Sequence, residues 1–91
     1  MIFPNELRVF ISPKDIFSGS PGTGDDCPVA NSISRKFPDN YVNVGYDYIR
    51  IYKDTDCEKL LRCYRVPKEL RQKIKNYDES SIFNCGWVEA K

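Results

Sequence analysis

The sequence predicts an α+β fold: a two-layer sandwich in which a four- to five-stranded, largely antiparallel sheet carries two helices on one face. Three observations predict it. Residues 41–52, YVNVGYDYIRIY, alternate apolar and polar side chains on both sides of a short glycine-containing turn, the pattern of a β-hairpin. Segments 28–37 and 67–77 each gather their apolar residues along one side of a helix. Further short alternating runs near both ends of the chain supply the remaining strands. With 91 residues, 41% of them hydrophobic and 13% aromatic, the chain suffices for a single domain, 1–91, around one modest core.

The elements follow in order. Leu7, Val9 and Ile11 alternate with Arg8 and Phe10, which predicts a strand over 6–11. Ser12 before Pro13 suits a short helical turn, serine as cap and proline at the first helical position. Residues 18–26, SGSPGTGDD, are a glycine-rich loop. Asp26 is expected to cap a helix running from 27–28 to Phe37, with Val29, Ala30, Ile33 and Phe37 inward. Pro38-Asp39-Asn40 ends it. In the hairpin, Val42, Val44, Ile49 and Ile51 make one aliphatic face, and Gly45 is free to take the positive φ that tight turns often need. Residues 53–58 read as a polar turn. The run 60–66 has strand content, with Leu60, Tyr64 and Val66 inward. Pro67 opens a helix whose stripe is Leu70, Ile74 and Tyr77, and Asp78-Glu79-Ser80 ends it. The last strand spans 81–89, with a bulge at Gly86. The resulting order, β-α-β-β-β-α-β, is related to the ferredoxin-like β-α-β-β-α-β order. One core of Val42, Val44, Ile49, Ile51, Ile33, Leu70 and Ile74 is expected.

Composition narrows the function classes. Formal charge is +1, so no bulk charge drives the chain toward nucleic acid or membrane. No apolar run approaches membrane-spanning length. The start, MIFPNELRVF, lacks the basic and long apolar regions of a signal peptide, so a cytoplasmic protein is expected. The four cysteines, Cys27, Cys57, Cys63 and Cys85, are then expected as reduced thiols. The competing arrangement is a four-cysteine zinc site. Such sites normally show at least one tight pair, and the chain has no C-x-x-C, so no metal and no cofactor are expected.

The chain contains no histidine, which removes Ser-His and Cys-His nucleophile pairs and the commonest proton shuttle near neutral pH. Its adjacent acids, Asp25-Asp26 and Asp78-Glu79, sit at helix ends, where capping explains them. The glycines of the 18–26 loop are not followed by the Lys-Ser/Thr of a phosphate loop. Binding without catalysis is therefore expected.

Basic residues cluster in 50–75: Arg50, Lys53, Lys59, Arg62, Arg65, Lys68, Arg71, Lys73 and Lys75 all lie there. The polar face of the hairpin adds Tyr41, Asn43, Tyr48, Arg50 and Tyr52. The expected binding residues are Tyr41, Asn43, Tyr48, Arg50, Tyr52, Arg65, Lys68, Arg71 and Lys75. Tyrosine with arginine is the composition of protein–protein hot spots. The same mixture also suits base stacking and phosphate contact, so a nucleic-acid-binding module is the alternative. The plain reading is a solvated helix face with tyrosines half-covering the sheet.

The segments DDCPVANSISRKF, YVNVGYDYIRIY and YRVPKELRQKIKNYD together resemble a family of small, uncharacterised phage and prophage proteins with a D-x-C-P-V-A-like helix start. The resemblance spans residues 26–78 and the last strand. Residues 57–58 and the 18–26 loop depart from it. It carries no catalytic residues to transfer. It implies a phage-type interaction protein that inhibits a host protein or ribonucleoprotein by stoichiometric binding, an anti-defence or anti-CRISPR-type inhibitor in the host cytoplasm. The partner's identity and the oligomeric state are not legible in the sequence.

Overall fold

The computed structural model describes residues 3–22, 24–54 and 59–91. In chain order they form β1 (Leu7–Ile11), α1 (Pro13–Phe17), α2 (Pro28–Lys36), β2 (Tyr41–Val44), β3 (Tyr48–Tyr52), β4 (Leu60–Arg65), α3 (Lys68–Ser80) and β5 (Gly86–Ala90). The protein is α+β and every strand pairing is antiparallel. The strands divide into two sheets, β1–β5 and β2–β3–β4, where one continuous sheet was expected. The reason lies at the end of β4. Pro67 has no amide hydrogen for a ladder and turns the chain into α3. β4 and β5 therefore meet near one point, where the Lys91 amide donates to the Arg65 carbonyl at 3.1 Å.

Local chemistry sets each boundary. Ser12 and Asp15 form a reciprocal capping box that starts α1 behind Pro13. Asp15 is 5% exposed, and its charge is met by Arg35 of α2 at 2.9 Å. The cap of α2 is Cys27 rather than Asp26: the Cys27 Sγ accepts from the Ala30 amide at 3.4 Å, and Pro28 takes the first helical position. Asp26 instead accepts from the Ser20 hydroxyl within the preceding loop. α3 runs three residues past Tyr77, because Asp78, Glu79 and Ser80 keep helical geometry until Ser81 adopts the left-handed conformation at φ 59°.

The hairpin has the expected faces. Val42, Val44, Ile49 and Ile51 are buried, and Val42↔Ile51 and Val44↔Ile49 are cross-strand partners. Gly45 does not have positive φ. The turn is closed by the Gly45 amide donating to the Tyr48 carbonyl at 2.9 Å. Tyr64 of β4 and Val66 just after it point inward as expected, but Leu60 is 49% exposed. The cause is a register shift: Ile51 faces Arg62 while Tyr52 faces Leu60, so Leu61 is the extra residue and Leu60 changes face. The last strand is shorter than 81–89. Phe83 is buried ahead of it, Val88 and Ala90 are buried within it, and Gly86 between them has φ 148°. That glycine geometry reverses which parity faces inward, and Gly86 itself still pairs with Ile11 without a bulge. The turn expected at 53–58 lies partly outside the described residues, as does Cys57.

All seven expected core residues belong to one buried cluster with Leu7, Val9, Ile11, Tyr64, Val66, Tyr77 and Val88. Leu7 and Val9 of β1, Val29 and Ile33 of α2, Ile49 of β3 and Leu70 of α3 line one interior seam. Both long helices thus lie against the inner faces of both sheets. The outer faces are left to solvent.

Candidate interaction surface

The outer face of β2–β3–β4 carries three cross-strand rows, fixed by the register. Tyr41, Tyr52 and Leu60 form the first, Asn43, Arg50 and Cys63 the second, Tyr48 and Arg65 the third. Period-two alternation puts seven of these on the side opposite the aliphatic core, and the bulge brings Leu60 to join them. The side chains are ordered among themselves. The Tyr41 and Tyr52 ring centroids lie 6.0 Å apart at 41°. The Arg50 guanidinium sits 5.5 Å from the Tyr48 ring centroid, a cation–π contact along the strand. Leu60 and Leu61 remain 49% and 39% exposed beside the tyrosines.

The 18–26 loop buttresses one margin of this face. The Gly24 carbonyl accepts from the Val44 amide at 2.6 Å, and the Tyr41 hydroxyl donates to Asp25 at 3.0 Å. A Cβ on Gly24 would lie 2.9 Å from the Asn43 side-chain nitrogen, so a larger residue there would push the Asn43 side chain aside. Tyr41 and Asn43 are half-buried by this contact, whereas Tyr48 is exposed.

The basic residues expected on α3 go elsewhere. Arg71 donates to the Tyr46 carbonyl at 3.1 Å and pairs with Asp47 at 3.1 Å. The Lys75 ammonium sits 5.5 Å from the centroid of the Tyr46 ring, and the Tyr46 hydroxyl donates to Asp78 at 2.6 Å. That short bond to a carboxylate holds the Tyr46 phenol above its usual pKa. Arg71 and Lys75 therefore latch the hairpin turn to α3. Lys68 lies at the start of α3, in the groove beside β5. The structure joins Tyr41, Asn43, Tyr48, Arg50, Tyr52 and Arg65 on one surface and leaves Lys68, Arg71 and Lys75 outside it.

Sequence reasoning missed Leu60 as a member of this face, because a bulge leaves no composition signal; Cys63 has the outward parity of Arg65 but was not among the expected binding residues. It also missed a second aromatic surface on β1–β5. There Phe10 and Trp87 stack edge-on at 5.5 Å, and Arg8 lies 4.8 Å over the Trp87 ring. The lone strand alternation Arg8, Phe10 against Leu7, Val9 was a signal for part of it.

Among the described residues, no three metal-ligating side chains converge. Cys27 is buried while Cys63 and Cys85 are exposed. Burial pushes the Cys27 thiol above its usual pKa. No described helix is long and apolar enough to cross a membrane. No protein-family model, curated protein or solved structure matches the chain.

Proposed function

We propose that this chain is a stoichiometric binding protein that engages a protein or ribonucleoprotein partner through the outer face of β2–β3–β4, without catalysis. One observation carries the reading. Tyr41, Tyr48, Tyr52, Arg50 and Arg65 share a face with exposed Leu60, where a merely solvated strand would more usually carry Thr, Lys or Glu. Tyrosine and arginine bury much area for little conformational cost and form hydrogen bonds once water is excluded. The ring pair and the guanidinium over Tyr48 already restrict these side chains before a partner arrives, which lowers the entropy lost on binding. The absence of histidine from the sequence supports a role without acid–base chemistry. The resemblance to small phage proteins supports a partner in a host defence system and an inhibitory outcome in the host cytoplasm.

Nucleic acid is the second reading, favoured by Arg50 and Arg65 lying in neighbouring rows with Tyr48 and Tyr52. The experiment measures both. The tagged chain is used to capture partners from bacterial lysate beside its Arg50→Ala variant, and fluorescence anisotropy follows single-stranded oligonucleotides over a salt series. A protein partner retained by the wild type and lost by the variant supports the proposal. Oligonucleotide affinity that falls steeply with salt, with no captured protein, would replace it with the second reading.

A further inference from the structure

We propose that the groove between the free edge of β5 and the first turns of α3 is a docking site for an extended acidic peptide, which adds to β5 as a strand. This site shares Arg65 with the margin of the β2–β3–β4 face; its other residues lie outside that face, and it does not depend on that face binding anything. The groove has a volume of about 570 Å³, within the usual range of ligand sites.

Its backbone is suited to strand addition. The Lys91 amide, just past β5, points to the Arg65 carbonyl. Alternation along an extended strand turns the backbone groups of Glu89 and Trp87 to the same side, away from β1. Among the described residues, Lys91 makes the one backbone bond from that side of the strand to another element. α3 borders this edge of β5, and among the described residues no strand pairs with it. Two other sheet margins are protected: Arg35 and Lys36 donate to the Phe10 and Arg8 carbonyls of β1, and the Gly24 carbonyl accepts from β2.

Charge selects the occupant. Arg65, Lys68, Lys73 and Lys91 line the groove, and none forms an ion pair among the described residues. Of the two acids there, Glu89 is paired with Arg8 at 3.5 Å. Trp87 offers exposed apolar surface for a side chain of the guest. A second copy of this chain pairing through β5 would set four cations against four, whereas an acidic strand meets them with opposite charge.

Trp87 is the sole tryptophan and is 58% exposed, so its emission reports occupancy of the groove. The full chain is titrated with a blocked hexapeptide alternating glutamate and valine, with its lysine–valine counterpart, and with the acidic peptide N-methylated at alternate amides. A saturable blue shift with the acidic peptide alone is expected. Lys73→Glu or N-methylation should weaken it about tenfold or more, and Lys14→Glu, on α1, should not. Should Lys73→Glu lower the melting temperature, Lys68→Glu serves the same comparison. No shift, an equal response to the lysine peptide or to the N-methylated peptide, or peptide-independent self-association quenched by β5 substitutions would overturn the proposal.

Discussion

The Cys27 thiol caps α2 and fills core space at once. It is 3% exposed, and its sulfur is the side-chain acceptor for the Ala30 amide. Cys27→Ala should cost about 1 kcal/mol in chemical denaturation through loss of the cap, and Cys27→Ser, which keeps an acceptor, should cost less. Its raised pKa also makes stability depend on pH. The folded state holds the proton longer than the unfolded chain, so the contribution is complete below the ordinary thiol pKa. Stability is then lost as pH rises above about 8.5. Tyr64, raised mainly by burial, has the same sign at higher pH. A denaturation series should show an alkaline decline that is reduced in Cys27→Ser. Elemental analysis of protein from reducing cells should find no zinc.

The hairpin is the element on which both layers depend, with one face in the core and one in solvent. Ile49 is 1% exposed, so Ile49→Ala should cost about 2–5 kcal/mol in denaturation, a large share of the stability of a domain this size. Arg71→Ala should be milder, about 1 kcal/mol, because its ion pair with Asp47 is largely exposed. Amide exchange should nonetheless quicken at Gly45 and Val66, which bond to the turn. The hairpin was legible because period two separates Val42, Val44, Ile49 and Ile51 from their neighbours without help from distant residues. The faces of 60–66 were not, because a one-residue bulge at Leu61 moves Leu60 outward, and only pairing with β3 reveals it. The end of α3 was misread for a similar reason. Asp78 is tolerated in the last turn because it accepts from Tyr46 and from the Gly22 amide, both remote in sequence.

At the scale of the whole molecule, the Cα radius of gyration is 11.9 Å, close to the ~12 Å expected for this length. Composition and periodicity could indicate the α+β class and the two core-facing helices. The division into two sheets depends on where Pro67 and Gly86 end and begin the strands, which is tertiary geometry. The candidate site was half legible. Alternation placed Tyr41, Asn43, Tyr48, Arg50 and Tyr52 together, but linear clustering of Lys and Arg could not tell that Arg71 and Lys75 bind the turn. The central claim is that the outer face of β2–β3–β4 recognises a partner rather than supporting the fold. Its most direct test measures partner affinity for Tyr48→Ala and Arg50→Ala beside their thermal melts. Each substitution should lose about 2 kcal/mol or more in binding, with a melting temperature near wild type. Wild-type binding with a lowered melting temperature would contradict it.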